Sequence, residues 1–367
     1  MADTADLDIA GARRLDGRQT TIKDVAQAAG VSFKTVSRVL NQEPNVRAEI
    51  RDRVRQAAEA LGYVPNVAAR DLAGGRSFLI GLMFDNPSES YIGKIQTGAI
   101  TRCRDAGYSL IVEPLEPGDD ARRTLDPILS RLRVDGLILT PPICDNPVVL
   151  DAIERAGVRY VRIAPDRDAD RAPFVTMDDT HAAYEMTRHL LTLGHRDIGF
   201  IKGPPSHGAA ARRLEGFLRA MGEAGLTVPV GYIQAGAFSF RSGMAAAERL
   251  LAEPERPTAI FASNDDMALG VMWACSRAGL SVPTDISVTG FDDSEPARMA
   301  WPQLTTIRQP IADMSAAAVD ILVEAGAKGR GPEPVANRWL DYELIVRGST
   351  AAPGARSPRV EPRKTNS

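Results

Sequence analysis

The chain has 367 residues, of which 44% are hydrophobic and 25% are charged, and its net charge is −3. No apolar run approaches the roughly 18 residues of a membrane-spanning helix, so we expect no membrane partner. The segment 1–19 contains acidic residues and has no apolar core, so we expect a disordered N-terminal arm and not a secretory signal.

Motifs of catalysis and of metal binding are missing from the sequence. It contains no Walker loop, HExxH or GxSxG motif, and its four histidines show no metal-ligand spacing. The cysteines Cys103, Cys144 and Cys275 are far apart and odd in number, which is typical of a reducing cytosol. We therefore expect no catalytic residues, no metal, no cofactor and a cytoplasmic location.

The charge is unevenly distributed along the chain. Residues 18–76 contain ten Lys/Arg and six Asp/Glu, a net charge of +4, so the remaining residues carry −7. A small basic segment joined to an acidic body indicates a nucleic-acid-binding module attached to another domain.

Residues 20–65 carry the pattern of three helices. Thr21 is a good N-cap with Asp24 in the capping-box position, and Gly30 ends the first helix. Ser32 caps a second helix after a short turn, and a third is predicted from Val46 to Leu61. A helix, a glycine-containing turn and a second helix have the spacing of a helix-turn-helix DNA-binding module.

The second helix, "VSFKTVSRVLN", has two unlike faces. One is an apolar stripe of Val36, Val39 and Leu40. The other mixes small hydroxyls, an aromatic ring and cations: Ser32, Phe33, Lys34, Ser37 and Arg38. Such a face suits the major groove, where hydroxyls bind phosphates and long cations reach guanine. An ordinary solvated surface helix is the alternative.

The segment "TIKDVAQAAGVSFKTVSRVLN" resembles the DNA-binding head of the lactose-repressor/galactose-repressor (LacI/GalR) family of bacterial transcription regulators. The following "YVPNVAARDLAGGRS" resembles that family's hinge helix. The resemblance implies these DNA-contacting residues: Thr21, Ser32, Phe33, Lys34, Thr35, Ser37, Arg38, Asn41, Asn45, Tyr63, Asn66, Ala69 and Leu72.

The hinge, residues 66–76, is predicted to be a short helix that Asn66 caps and Gly74 and Gly75 terminate. A helix of about seven residues is marginal alone and needs a partner. In the family, two such helices pair in the minor groove and a leucine wedges between base steps. Leu72 occupies the position of that leucine in this chain. A flexible linker is the alternative.

From residue 77 to about 350, strand-like and amphipathic segments alternate, which predicts doubly wound parallel sheets. The resemblance implies a periplasmic-binding-protein type I fold of two lobes, with crossings near 178, 308 and 338. The overall expectation is an all-α helix-turn-helix head on this α/β body. Residues 351–367 are predicted to be a disordered tail.

Ligands of such sheets bind beyond the carboxyl ends of the strands. Candidate effector-binding residues follow several predicted strands, and the resemblance supports two of them, Arg213 and Phe238. The full set is Asp85, Tyr91, Arg213, Phe238, Asn264, Asp292 and Gln309. Each also has a structural alternative, such as helix capping by Tyr91 or Asp292. Guanidinium, carboxylate, amides and rings in one cleft suit a sugar.

Residue 164 bears on the identity of the sugar, and the C-terminal tail bears on the oligomeric state. Where the lactose repressor carries a sugar-contacting aspartate, this chain has Ala164, so we expect no close galactoside analogue. The tail has no leucine heptads, so we expect a dimer and not a tetramer.

The predicted function is a dimeric, cytoplasmic repressor of carbohydrate-utilisation genes, located on the nucleoid when bound to a pseudo-palindromic operator. A small sugar between the lobes controls it. The main alternative is a purine- or nucleoside-responsive corepressor type of the same family. A sugar-transport protein and an enzyme are weaker alternatives.

Overall fold

The computed structural model describes residues 20–40, 46–63, 76–115, 125–327 and 337–354, without the side chains of 131 and 132. Internal contacts divide the chain into a head unit, 1–77, and a body unit, 78–367. Several predicted features lie outside the described residues: the arm 1–19, Asn41, Asn45, most of the hinge with Asn66, Ala69 and Leu72, and the tail beyond 354.

In its described part, the head unit has helices α1 Ile22–Ala28, α2 Phe33–Leu40 and α3 Ala48–Ala60. The apolar faces of the three helices pack into one small core around Val25, Val36, Val39 and Val54. The helix ends follow from the sequence, because the Asp24 carboxylate accepts from the Thr21 backbone N–H at 2.7 Å and Gly30 adopts a φ of +61°. The third helix begins at Ala48, two residues later than predicted.

The body unit alternates strands and helices. In chain order its elements are β1 Leu79–Phe84, α4 Glu89–Asp105, β2 Ser109–Pro114, a π-turn Ile128–Leu132, β3 Gly136–Leu139, a 3₁₀-turn Ile143–Asp145, α5 Pro147–Arg155, β4 Tyr160–Ile163, β5 Phe174–Thr176, α6 Asp179–Thr192, β6 Ile198–Lys202, α7 Gly208–Glu223, a 3₁₀-turn Val230–Tyr232, β7 Ile233–Ala235, α8 Phe240–Ala252, β8 Ala259–Ala262, α9 Asp265–Arg277, β9 Ser287–Thr289, α10 Glu295–Met299, β10 Thr306–Arg308, α11 Ile311–Ala327, β11 Arg338–Trp339 and β12 Glu343–Ile345.

Ten of the twelve strands in the described residues form two parallel sheets, one in each lobe, and β10 and β12 form a two-stranded antiparallel sheet. Lobe 1 holds a six-stranded sheet in the order β11-β5-β4-β3-β1-β2, and lobe 2 holds a four-stranded sheet in the order β7-β6-β8-β9. Their central strands are buried apolar runs, as expected when helices cover both faces of a parallel sheet. The doubly wound α/β body predicted from the sequence is therefore confirmed.

The chain passes between the lobes at three places. It leaves lobe 1 after β5 at 177–178 and returns after β10 at 308–310, where α11 packs on the first sheet. It crosses again between β11, which pairs with β5, and β12, which pairs antiparallel with β10. The crossings bring the carboxyl ends of both sheets to a common cleft.

Close helix pairs in lobe 2 depend on glycine. A Cβ at Gly216 of α7 would overlap the Thr180 carbonyl oxygen and crowd the Tyr184 backbone of α6. Helices α8 and α9 meet in the same way at Gly243 and Gly270.

In the described part of the chain, no helix combines the length and apolar character that crossing a lipid bilayer requires.

Candidate functional site

A cleft with about 450 Å³ of empty space, open solvent included, lies between the two lobes of the body, and we call it the inner cavity. It is lined by residues that follow the carboxyl ends of strands in both sheets, the usual ligand position of this fold class. Six of the seven predicted effector-binding residues line it: Tyr91, Arg213, Phe238, Asn264, Asp292 and Gln309. Residues that were not predicted as effector-binding complete the lining together with Ala164: Asn86, Ser88, Pro141, Asp179, His207 and Ala209.

Asp85, the seventh predicted residue, does not line the inner cavity. It lies instead on a neighbouring cleft with about 940 Å³ of empty space, open solvent included, which we call the outer cavity. The chain turns directly after β1, where the Asn86 side-chain oxygen accepts from the Ser88 backbone N–H at 2.9 Å. This turn presents Asn86 and Ser88 to the inner cavity and leaves Asp85 on the other side.

Arg213 is held rigidly in the wall of the inner cavity. Its guanidinium donates to the Asp179 carboxylate at 2.8 Å and to the Ser263 carbonyl at 2.6 Å. It also lies 3.7 Å from the centroid of the Phe291 ring, in cation–π geometry. Both charged residues are buried, so the site contains a paired guanidinium and carboxylate in a fixed orientation. This supports a cleft position for Arg213 over a surface salt bridge.

Asp292 and Gln309 form a second polar pair in the same wall. The Gln309 amide donates to the Asp292 carboxylate. Burial, with a further contribution from nearby Asp265, raises the pKa of Asp292 to about 8 despite the opposing charge of Arg213. The adjacent turn is capped by Ser294, so Asp292 is not needed as a helix cap.

The loop that carries Asp292 is strained and strongly anchored. Asp292 and Asp293 both have positive φ, +123° and +50°, which is uncommon for residues other than glycine. The fully buried carboxylate of Asp293 accepts from Arg308 at 2.8 Å and from Arg347 at 2.6 Å, and Arg298 adds a third ion pair. Such anchoring at a strained loop is a common feature of binding sites.

Aromatic rings and an amide complete the inner cavity. Asn264 caps α9 by accepting from the Met267 backbone N–H, and its amide nitrogen donates to the Phe238 carbonyl at 3.1 Å. Phe238 is buried, with a φ of +53°. Ser88 caps α4, so Tyr91 is not the cap of its helix, and burial raises the pKa of its hydroxyl.

His207 is a buried histidine whose two ring nitrogens differ in their hydrogen bonding. It is 6% exposed and lines the inner cavity. Its Nδ1 lies 3.2 Å from the Ser206 hydroxyl, but its Nε2 has no hydrogen-bond partner among the described residues. Burial and the charge of Arg213 lower its pKa to about 4, so the imidazole is neutral near pH 7. Its Nε2 is therefore suited to bind a polar ligand group.

Direct hydrogen bonds join the lobes around the cleft. The Ser88 hydroxyl donates to the Asp266 carboxylate at 2.6 Å. The Lys94 ammonium donates to the carbonyls of Asp292 and Asp293 at 2.7 and 2.8 Å.

Within the described ranges, no cluster of three His, Cys, Asp or Glu side chains could hold a metal ion.

In the head unit, α2 presents the mixed face predicted from the sequence. Ser32, Phe33 and Lys34 are exposed, and Phe33 has 61% of its surface accessible although it is a large apolar residue. The Thr35 backbone N–H donates to the Ser32 hydroxyl at 3.1 Å, which caps the helix. The other predicted DNA-contacting residues that are described are half-buried: Thr21, Thr35, Ser37, Arg38 and Tyr63.

Two family models match the chain. Residues 21–66 match "Bacterial regulatory proteins, lacI family", and residues 187–350 match "Periplasmic binding protein-like domain". The first match covers α1 to α3, and the second covers most of lobe 2 and the return through α11.

Curated relatives match over most of their length. The chain is 35% identical to catabolite control protein A of Priestia megaterium over 83% of this chain and 92% of that protein. It is 37% identical to the ribose operon repressor of Escherichia coli (strain K12) over the same shares of the two chains.

A solved structure of the lac repressor dimer bound to operator and the anti-inducer ONPF also matches. Its TM-score is 0.72 and its identity 32%, over 91% of this chain and 100% of that one. The predicted family and fold are therefore confirmed, and a family of regulators argues against an enzyme. The chain belongs to the lacI family of bacterial regulatory proteins and is a DNA-binding transcriptional regulator.

Proposed function

We propose that this regulator represses carbohydrate-utilisation genes and that a small sugar in the inner cavity sets its affinity for operator DNA. The observation that carries this proposal is the composition of the inner cavity. Arg213, Asp292, Gln309 and Asn264 offer charged and amide groups to hydroxyls, beside the rings of Tyr91 and Phe238. Sugar hydroxyls both donate and accept hydrogen bonds, and the apolar faces of sugar rings pack on aromatic side chains.

The relatives support a sugar without identifying one. One is named as the repressor of a ribose operon, and one solved neighbour holds ONPF. Ala164 in the cavity wall favours a sugar other than a close galactoside analogue. A purine or nucleoside acting as corepressor is the alternative that the experiment below must exclude.

For the DNA-binding module we propose residues 20–65, with α2 in the major groove and the hinge 66–76 in the minor groove at the operator centre. Arg38 and Lys34 would reach base edges, Phe33 would contact a thymine methyl, and Leu72 would wedge between base steps. The proposed effector domain is 77–350. Ligand-dependent movement of its lobes would change the pairing of the two hinge helices and thereby operator affinity.

We further propose a cytoplasmic homodimer, because a two-fold symmetric protein matches a pseudo-palindromic operator. Lobe 2 has apolar surface available for pairing. Phe240 and Trp273 form an edge-to-face pair on α8 and α9 and are 44% and 42% exposed, and Trp301 is 94% exposed. Exposed aromatic groups of this kind are typical of protein interfaces.

Thermal unfolding of the full chain against a ligand panel tests the proposed effector. The panel contains mono- and disaccharides, sugar phosphates, purines and nucleosides. A ligand at 100 times its Kd stabilises the protein by about 2.7 kcal/mol, which raises Tm measurably.

We expect a sugar to raise Tm, the shift to be lost in Asp292→Ala, and the shift to persist in the control Asp313→Ala, which alters an exposed carboxylate of α11. A shift with purines or nucleosides alone would replace the sugar proposal. No shift with any sugar would contradict it.

A further inference from the structure

The loop that follows β4 of lobe 1 packs against the first turn of α7 in lobe 2. A Cβ added at Gly208, the first residue of α7, would lie 2.2 Å from an oxygen of the Asp166 carboxylate. The loop can approach the helix this closely because glycine has no side chain. The carboxylate also lies at the end of the helix where a negative charge is favourable. This contact between the lobes is separate from the hydrogen bonds of Ser88 and Lys94.

The lobe 1 side of this contact is anchored within its own lobe. The Asp166 backbone N–H donates to the Asp145 carboxylate at 3.0 Å. That carboxylate accepts at 2.6 Å from the fully buried Arg162 of β4, which also donates to the carbonyls of Arg167 and Asp168. The position of Asp166 is therefore fixed by lobe 1 and moves with that lobe.

Arg212 of α7 is the lobe 2 partner of this loop. Its guanidinium donates to the Asp166 carboxylate at 3.0 Å and to the Ala164 carbonyl at 3.5 Å. Arg167 lies 4.0 Å from the other oxygen of Asp166, so it does not take the place of Arg212. The side chains of Arg212 and Asp166 are 25% and 36% exposed. An ion pair with this much access to water is weak, so it can break when the lobes separate.

Arg212 also contacts the buried ion pair that contains the effector-site guanidinium. The Asp179 carboxylate is shared: one oxygen lies 2.8 Å from Nε of Arg213, and the other lies 3.7 Å from Nε of Arg212. Asp179 and Arg213 are both buried, and charges interact more strongly there than at the surface. A movement of Arg212 therefore changes how strongly Asp179 holds Arg213.

The four side chains form a continuous series from lobe 1 to the wall of the inner cavity. In order they are Asp166, Arg212, Asp179 and Arg213. Among the described residues, no hydrogen bond or ion pair joins Asp166 directly to Arg213. The route between the two therefore runs through Arg212 and Asp179.

We propose that Arg212 is a positioning residue that couples the closure of lobe 1 on lobe 2 to the orientation of Arg213. With the lobes closed, Asp166 holds Arg212 towards lobe 1, and Asp179 engages mainly Arg213. When the lobes separate, Arg212 loses its two lobe 1 partners and pairs more closely with Asp179, which weakens the hold on Arg213. The inference rests on the proposed function only for the contact between Arg213 and the effector, and the coupling itself needs no ligand.

The Nε–H resonance of Arg213 in the ligand-free full chain tests the coupling. NMR with isotopically labelled arginine nitrogen records this resonance, and its loss in Arg213→Lys assigns it. We expect it to shift in Arg212→Gln and, in the same direction, in Asp166→Asn, although Asp166 belongs to the other lobe. Arg212→Lys keeps a cation near Asp166 and should restore most of the wild-type position. The control Glu215→Gln alters an exposed carboxylate of the same helix and should leave the resonance unchanged.

Operator affinity of the ligand-free chain gives the functional readout. Fluorescence anisotropy with an in vitro selected palindromic duplex measures it. Arg212→Gln and Asp166→Asn should change this affinity in the same direction by up to about fivefold, the range of a partly exposed ion pair. The double variant should differ from the wild type no more than either single variant, because both substitutions remove one contact.

A resonance that shifts in neither variant, or in Arg212→Gln alone, would overturn the inference, because Arg213 would then be insensitive to lobe 1. Operator affinity that changes additively in the double variant, or in neither single variant, would also overturn it. Each of these results would leave the sugar proposal intact, because the ligand panel tests that proposal separately.

Discussion

At the scale of single residues, Asp292 combines a buried carboxyl with a place in the ligand cavity. Its pKa of about 8 lies far above that of a carboxyl in an unfolded chain, about 4. Between these values the folded protein binds the proton and the unfolded chain does not. The contribution of Asp292 to the free energy of unfolding therefore falls as pH rises from about 4 to about 8.

We predict that Asp292→Asn removes this penalty, because the amide can still accept from Gln309 but cannot ionise. Relative to the wild type, the variant should gain stability as pH rises from 5 to 8. Urea unfolding at four pH values measures the difference, and Asp313→Asn should show no such trend. Parallel pH profiles of wild type and Asp292→Asn would contradict the assigned pKa.

The sequence could predict which residues follow strands, but not every residue that reaches the cavity. Arg213, Asn264 and Asp292 could be predicted as site residues because they closely follow strands or belong to a family segment. Asp179 and His207 could not be predicted, since Asp179 is contributed by the crossing segment and His207 belongs to no motif. The only signal for His207 was its place shortly after β6.

At the scale of elements, α2 is the helix that would contact bases. Its apolar stripe packs into the core of the head unit, which leaves Ser32, Phe33 and Lys34 exposed on the surface.

We predict that Arg38→Ala weakens operator binding by about 1–3 kcal/mol and relaxes specificity at one base pair. Fluorescence anisotropy with an in vitro selected palindromic duplex and its single-base variants measures both quantities.

The matched control is Arg53→Ala, which removes an exposed cation from α3 and should not change base preference. If Arg38→Ala weakened all duplexes equally, Arg38 would contact phosphate and not a base edge.

Helix α7 supplies a test of element packing with an internal control. A Cβ at Gly216 would overlap the Thr180 carbonyl, whereas a Cβ at Gly222 in the same helix meets nothing within 4 Å. We predict that Gly216→Ala destabilises the body by about 1–3 kcal/mol through overpacking. Gly222→Ala should stabilise it by up to about 1 kcal/mol through helix propensity. Urea denaturation compares the two, and equal effects would contradict the close packing of α6 on α7.

At the scale of the whole body, local patterns predicted the alternation of strands and helices. The contacts that join the lobes were not predictable from such patterns. Lys94 contacts Asp292 and Asp293 about 200 residues further along the chain, and Ser88 contacts Asp266. Contacts of this range depend on the three crossings of the chain, which are set by tertiary packing. These contacts also connect the ligand cavity directly to the relative position of the lobes.

We propose that a sugar in the cleft controls operator binding. The most direct test is the affinity of the full chain for its selected palindromic duplex, with and without a saturating concentration of the sugar that raises Tm. We predict a change of about 5- to 150-fold, and an equal factor in sugar affinity when the duplex is present, because coupling between sites is reciprocal. Operator affinity that stays the same with the sugar bound would contradict the claim.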